Sequence, residues 1–226
     1  MTVSYNPSCV TNGLVLYLDA GNTKSYPGSG TTWVDTSGNS NNFTFVGSPT
    51  YSSANGGLLA LSGSGQYING PNSTSLQLTG DLTISAWVSL GDLTNQGIAG
   101  KIRNGPYQGY GITKQSGYFK FWTAAADAYT YTQSDVTYIA TTGWYNVVGV
   151  RTSGTNRLWI NGVLQNDSQS PAFADSGDIF TIGRYYSNNT SYNAGGNISA
   201  VSVYNRALSS SEILQNYNAL RGRYGV

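Results

Sequence analysis

Along residues 81–90, DLTISAWVSL, the side chains Leu82, Ile84, Ala86 and Val88 alternate with Thr83, Ser85, Trp87 and Ser89. Successive residues of a strand face opposite ways, so a period of two marks a strand with one buried face rather than a helix. The same signature of β-branched and aromatic residues recurs at 14–18, 109–114, 118–122, 138–140, 144–150, 157–160, 179–182 and 198–204. Turn signals separate the segments: Ser62-Gly63-Ser64-Gly65, Gly105-Pro106, Ser116-Gly117 and Asn161-Gly162. Asn161-Gly162 stands between RLWI and VLQN, and a two-residue turn with φ > 0 at both positions makes that a hairpin. Many short strands at this spacing predict a two-sheet sandwich or jelly roll. One helix is expected. Ser209 and Glu212 have the spacing of a capping box, Ile213, Leu214, Tyr217 and Leu220 follow at helical spacing, and Gly222 supplies a stop.

The composition excludes several classes of partner. Charged residues make up 9% of the 226-residue chain, against about a quarter in ordinary globular proteins, and the net charge is +1. No basic patch is visible beyond Arg221 and Arg223 near the end, which argues against nucleic acid. No apolar run approaches the roughly 20 residues that span a bilayer, so no membrane partner is expected. The first residues lack a basic, apolar leader and do not read as a signal peptide. Cys9 is the sole cysteine, so no intrachain disulfide forms, in keeping with synthesis in a reducing cytosol. Tyrosine (18) and glycine (29) are abundant, an outward-facing composition. Asn72-Ser73-Thr74 is one of several N-glycosylation sequons, which carry little weight without a secretory signal.

Four stretches, in order, carry a family resemblance. LSGSGQYINGPNSTSLQLTGDLTISAWVSL, GWYNVVGVRTSGTNRLWINGV, FTIGR at 180–184 and VSVYNRALSSSEI together resemble a concanavalin A-like, laminin-G-type jelly roll. The resemblance implies an all-β, two-sheet concanavalin A-like sandwich with one short C-terminal helix, spanning 13–226 as a single domain behind an N-terminal arm, residues 1–12. The stretches GLVLYLDAGNTKSYPGSGTTWVDTSGNSNNFTF and ILQNYNALRGRYG are similar to the version found in structural proteins of tailed phages, notably those of marine hosts.

Catalysis is not expected. With no histidine, Ser-His-Asp and Cys-His chemistry and His-ligated zinc are gone. Glycoside hydrolysis needs two carboxylates, but Glu212 is the sole glutamate and belongs to the helix cap. Asp175 and Asp178 form the one close aspartate pair, in a turn-like stretch.

Binding is the alternative. Sugar recognition needs an aromatic platform and a few fixed polar groups. Asp127, Tyr129 and Tyr131 in TAAADAYTYTQSD, with Tyr185, Tyr186, Asn188 and Tyr192 in RYYSNNTSYN, are the candidate ligand contacts. Trp87, Trp144 and Trp159 read as packing residues, while Trp33 and Trp122 stay unassigned between packing and binding. The expected function is that of a non-catalytic virion surface protein, made in the host cytoplasm. It would touch other virion proteins or host-surface glycans and be multimeric on the particle; a free-standing carbohydrate-binding lectin is the other reading.

No cofactor is expected beyond a weak calcium ion. The stretch 35–42, DTSGNSNN, sets side-chain oxygens at alternate positions, so Asp35, Asn39 and Asn41 are the candidate ligands. Related jelly rolls, by resemblance, complete such a site with an acidic residue near the chain's end, where this chain has Ala200. One carboxylate with amides and carbonyls gives affinity toward the roughly millimolar end of protein calcium sites.

Overall fold

The structure is a computed structural model, and it describes residues 8–91, 95–137, 143–187 and 192–226; of Ala128 and Tyr129 only the backbone is described. The strands among these residues are, in order, β1 (Leu14–Asp19), β2 (Thr32–Trp33), β3 (Phe43–Val46), β4 (Thr50–Ser52), β5 (Leu58–Ser62), β6 (Tyr67–Asn69), β7 (Leu82–Leu90) and β8 (Asn95–Arg103). They continue with β9 (Gln108–Gln115), β10 (Tyr118–Ala125), β11 (Ala128–Gln133), β12 (Tyr145–Thr152), β13 (Thr155–Ile160), β14 (Val163–Gln169), β15 (Thr181–Ile182) and β16 (Gly195–Tyr204). One helix, α1 (Ser210–Leu220), follows. No described helix is long and apolar enough to cross a membrane.

Two antiparallel eight-stranded sheets face each other, as the alternation requires. The first runs β14-β13-β12-β7-β16-β5-β4, with β1 also paired to β16; the second runs β11-β10-β9-β8-β15-β6-β3-β2. Leu82, Ile84, Ala86, Val88 and Leu90 of β7 point into the sandwich, against Ile112, Phe119 and Phe121 of the second sheet. The sequence marks β7, β9, β10, β12, β13 and β16 among the longer strands, but not the nine-residue β8 or the seven-residue β14. The expected strand at 138–140 lies outside the described residues. The one at 179–182 shrinks to the two residues of β15, because Ile182 and Thr181 bridge between β6 and β8 over that length alone. Asn161 and Gly162 take φ of 51° and 78°, the left-handed pair the hairpin demands. Gly149 has a different reason. A Cβ there would stand 2.3 Å from the Phe121 ring, so the bare backbone of β12 lets that ring pack across the sandwich.

The outer face of the first sheet is covered by the chain's two ends. α1 begins with the expected capping box: Ser209 N–H donates to Glu212 Oε2 at 2.9 Å and Glu212 N–H to Ser209 Oγ at 3.3 Å. Ile213 and Tyr217 are buried on the sheet, but Leu214 is 47% exposed, since it lies round the helix from that stripe. Gly222 does not end the helix. The chain winds on as a 3-10 turn, Arg221–Arg223, which delivers Arg223 to Asp19 (Nη1 to both carboxylate oxygens, 2.9 Å each) and stacks Tyr224 on Trp87 at 4.2 Å. Residues 8–12 run beside α1. Val10 N–H donates to Asn216 Oδ1 and the Tyr204 hydroxyl to Val10 O, at 2.7 and 2.9 Å.

Arg206 grips the cap, with Nη2 2.6 Å from Glu212 Oε1. This guanidinium, helped by the Ser209 N–H, holds the Glu212 carboxyl down at about 2 against an ordinary 4.5. A depressed folded value means the contribution is complete above about 4.5 and disappears as pH falls through about 2. Acid unfolding of the wild type should therefore show a stability slope across that window that Glu212→Gln lacks, read as denaturant midpoints against pH. An equal slope in both would contradict this.

Candidate functional site

Strand register places the site on the outer face of the second sheet. Phe119 and Phe121 point inward from β10, so Lys120 and Trp122 point out. Trp122 sits opposite Gly111 of β9 on one side and Tyr131 of β11 on the other. Its ring lies 5.2 Å from Tyr131, and its Nε1–H donates to Thr113 Oγ1 at 3.0 Å. Lys120 Nζ stands 3.6 Å over the Tyr131 ring, a cation–π contact.

The loop after β15 folds back over this surface. Gly97 makes the approach possible: a Cβ there would meet Arg184 C and Tyr185 N at 2.0 Å. Gly97 N–H donates to Tyr192 O at 3.0 Å, and Arg184 and Asn193 bridge as an isolated β pair, which closes the loop. Arg184 is pinned inside it, its Nε donating to Tyr186 O at 2.7 Å and its Nη2 to Ser187 O. Tyr185 is thereby driven down against Trp122 (5.8 Å, edge-on) and Ile102, with only 2% exposed. Its hydroxyl accepts from Gln115 Nε2 at 2.7 Å. Tyr186 packs on Tyr185 at 4.3 Å, Tyr192 lies 6.3 Å from Tyr186, and Tyr107 lies 6.1 Å from Tyr186 on another side. Burial and the adjacent Tyr107 push the Tyr186 phenol above its ordinary value.

Six rings thus form one connected array: Tyr107, Trp122, Tyr131, Tyr185, Tyr186 and Tyr192. Trp122 and Tyr185 are its floor, 5% and 2% exposed; Tyr131, Tyr186 and Tyr107 are half-buried, and Tyr192 stands out at 48%. Asp127 is at the margin, where its Oδ1 accepts the Tyr107 N–H at 2.7 Å. Of the expected contacts, the structure gathers Asp127, Tyr131, Tyr185, Tyr186 and Tyr192. Tyr129 pairs its backbone with Ala124, its side chain lying outside the description, and Asn188 lies outside the described residues. Sequence reasoning missed Tyr107 and left Trp122 unassigned. The alternation Phe119, Lys120, Phe121, Trp122 was the signal that Trp122 faces out.

The 35–42 stretch is a turn tied together by donors. Asp35 Oδ1 accepts from Tyr17 N–H and Ser37 N–H, both at 2.9 Å; Oδ2 accepts from the Ser37 hydroxyl at 2.9 Å and Asn41 N–H at 3.0 Å. Asn41 is buried, donating to Val15 O at 2.9 Å and accepting from Ser73 Oγ. Asn39 is exposed and donates to Ser37 Oγ at 3.1 Å. A cation at Asp35 would have to displace four donors, and among the described residues no three carboxylate or thiol side chains gather as a metal group. Ala200 is buried beside Trp87, and the acid paired across from it, Asp19, serves Arg223. The close aspartates are engaged as well. Asp175 Oδ1 lies 2.7 Å from Lys101 Nζ, and Asp178 Oδ2 accepts from Ser187 Oγ at 3.0 Å.

Two antiparallel sheets in this order, with an aromatic outer face, define a lectin-type jelly roll. The chain belongs to the concanavalin A-like lectin/glucanases superfamily, whose Laminin_G_3 family model matches residues 62–214. No curated protein sequence matches it. Among solved structures, the chain is similar to the binding domain of Paraclostridial Mosquitocidal Protein 1 (18% identity, TM-score 0.72, covering 92% of this chain and 52% of that one). It is similar too to the botulinum neurotoxin serotype D ligand binding domain in complex with N-acetylneuraminic acid (18%, TM-score 0.71, 92% and 51%). A Trypanosoma rangeli sialidase is a third (17%, TM-score 0.65, 95% and 34%). The chain spans about half the length of the two toxin structures and a third of the sialidase, and at these identities the likeness is one of fold.

Proposed function

We infer that the protein is a non-catalytic recognition module that holds glycans against the tyrosine array of its second sheet. The observation that carries this is the array itself. Tyr192, 48% exposed, and the half-buried Tyr186 lie beside a floor of Trp122 and Tyr185, with Tyr131 against Trp122 and Asp127 at the margin. An apolar ring with polar groups at its margin matches the two-sided chemistry of a sugar. Membership in a lectin superfamily supports the reading, as does a neurotoxin binding domain of similar fold that is complexed with N-acetylneuraminic acid. The carboxylates argue against hydrolysis, since Asp175, Asp178 and Glu212 are each engaged in ion pairs or caps.

The module works, on this proposal, at the surface of a tailed-phage virion, in several copies and held by other virion proteins. The likeness of residues 13–45 and 213–225 to phage structural proteins supports that setting. The test has two arms. A glycan array identifies a retained sugar, and titration then compares variants. Tyr192→Ala should weaken binding about tenfold or more, the effect of losing one ring contact worth about 1.4 kcal/mol, with the unfolding midpoint unchanged. Urea-stripped particles should lose this protein from their surface. Particle binding with no glycan retained would sink the glycan claim, and retained glycan with no particle association would leave a free-standing lectin.

A further inference from the structure

Lys101 is a charged residue inside the sandwich. β8 carries it opposite Tyr110 on the core side, fully buried at 0% exposure. Tyr110 packs edge-on against Phe173 and Phe180 at 6.1 and 6.2 Å, so the surroundings are aromatic. Two groups meet the lysine nitrogen, each at 2.7 Å: Asp175 Oδ1 and Asn72 Oδ1. The asparagine amide is fixed in orientation. Gln77 Nε2 donates to the same Oδ1 at 3.3 Å, and Asn72 Nδ2 donates to Gly177 O at 2.7 Å. Burial lowers the Lys101 ammonium below its ordinary value, with Asp175 pulling the other way and not cancelling the shift. An amine whose charged form burial disfavours, set beside an amide carbonyl and a carboxylate, is an arrangement for acyl transfer.

We propose that Lys101 and Asn72 become joined by an isopeptide bond, with Asp175 carrying the protons. Asp175 takes a proton from the ammonium, and the freed Nζ pair forms a bond to Asn72 Cγ, one C=O bond away from the oxygen it already touches. The C=O π pair moves onto Oδ1, where Gln77 donates. Collapse of the tetrahedral carbon restores the carbonyl and breaks Cγ–Nδ2. Lys101 Nζ gives up two protons and the departing nitrogen gains two, both through Asp175, so ammonium leaves and Asp175 ends as the carboxylate it began as. Nothing is oxidised or reduced. Asn72 is exposed, which opens an exit for ammonium. Preorganisation supplies the rate, because Asn72 Oδ1 is held 2.7 Å from Lys101 Nζ, which places the carbonyl carbon one bond beyond that contact. The product ties the 70–76 connection to β8 and closes the chain from 72 to 101, a cross-link that constrains the unfolded state.

Denaturing intact-mass measurement of the full chain tests this. The wild type should be lighter than its sequence by one ammonia, and Lys101→Arg and Asp175→Asn should each return to sequence mass. A digest of the wild type should contain one branched peptide joining 72 to 101, read by tandem spectra, which does not depend on any variant folding. A wild type at full sequence mass would overturn the proposal. So would an ammonia loss that persists in Lys101→Arg, since that marks a succinimide at Asn72 instead.

Discussion

Trp87→Ala is expected to lower the unfolding free energy by about 3–5 kcal/mol, the range for truncating a buried aromatic. Trp87 points out of the sandwich, so the cost arises away from the main core. Tyr224 stacks on it at 4.2 Å and 20°, Tyr217 at 5.7 Å and 10°, and Trp144 meets Tyr224 at 4.6 Å. This aromatic stack, with Leu58 and Ala200, is what α1 and the final turn rest on. Losing the indole forfeits two stacking partners, each worth about 0.5–1.5 kcal/mol beyond area, and enlarges an adjoining cavity of ≈ 20 Å³ lined by Cys9, Tyr17, Asn146 and Leu220. The Arg223–Asp19 pair does not replace this packing, because it ties down Arg223 and leaves Tyr217 and Tyr224 without the ring they stack on. Urea midpoints at unchanged slope measure the loss, and proteolysis within 209–226 should become faster than in the wild type. Trp87→Phe should cost less, since it keeps a ring under Tyr224. A loss under about 1 kcal/mol for the alanine variant would show that the stack carries no load.

The sandwich was legible because several of its long strands carry the β-branched and aromatic residues, and β7 the alternation, that mark a strand. β7 alternates cleanly and β10 does so through Phe119, Lys120, Phe121 and Trp122, while β12 reads as a strand from its β-branched run, with Val147 facing the core and Val148 and Val150 the other side. β8 broke that pattern and went unseen. Its run NQGIAGKIR carries a bulge between Gly97 and Ala99, three non-alternating small residues and an inward lysine whose charge is met by Asp175. β14, VLQNDSQ, is a polar edge strand, and β2, β3 and β4 are too short for any period to show. Tyr185, Tyr186 and Tyr192 could be named as loop tyrosines, but not sorted. Which of them is floor and which is surface depends on Gly97 letting the loop down onto the sheet and on the left-handed φ of 61° at Tyr192. The 35–42 turn shows the opposite limit. Alternate oxygens suggested a cation, but backbone N–H groups reach the same lone pairs, and spacing alone does not tell the two apart.

Trp122→Ala separates floor from surface. Its expected cost is about 3–5 kcal/mol, because the ring lies under Tyr131 and Tyr185 and beside Ile102 with 5% exposed. Trp122→Phe keeps most of that packing and loses the indole donor, leaving the fully buried Thr113 hydroxyl without it, a penalty of about 1–3 kcal/mol. Tyr192→Ala touches no floor residue except the edge of Tyr185 at 5.9 Å and should leave stability within about 0.5 kcal/mol. The two alanine variants therefore diverge in thermal unfolding. On a retained glycan they should converge, since removing the floor lets Tyr185 sink and carries Tyr186 and Tyr192 out of position. Full stability in Trp122→Ala would refute the floor. Normal stability loss with unchanged glycan affinity would instead detach recognition from this face of the sheet, because the packing would be as described and the sugar held elsewhere.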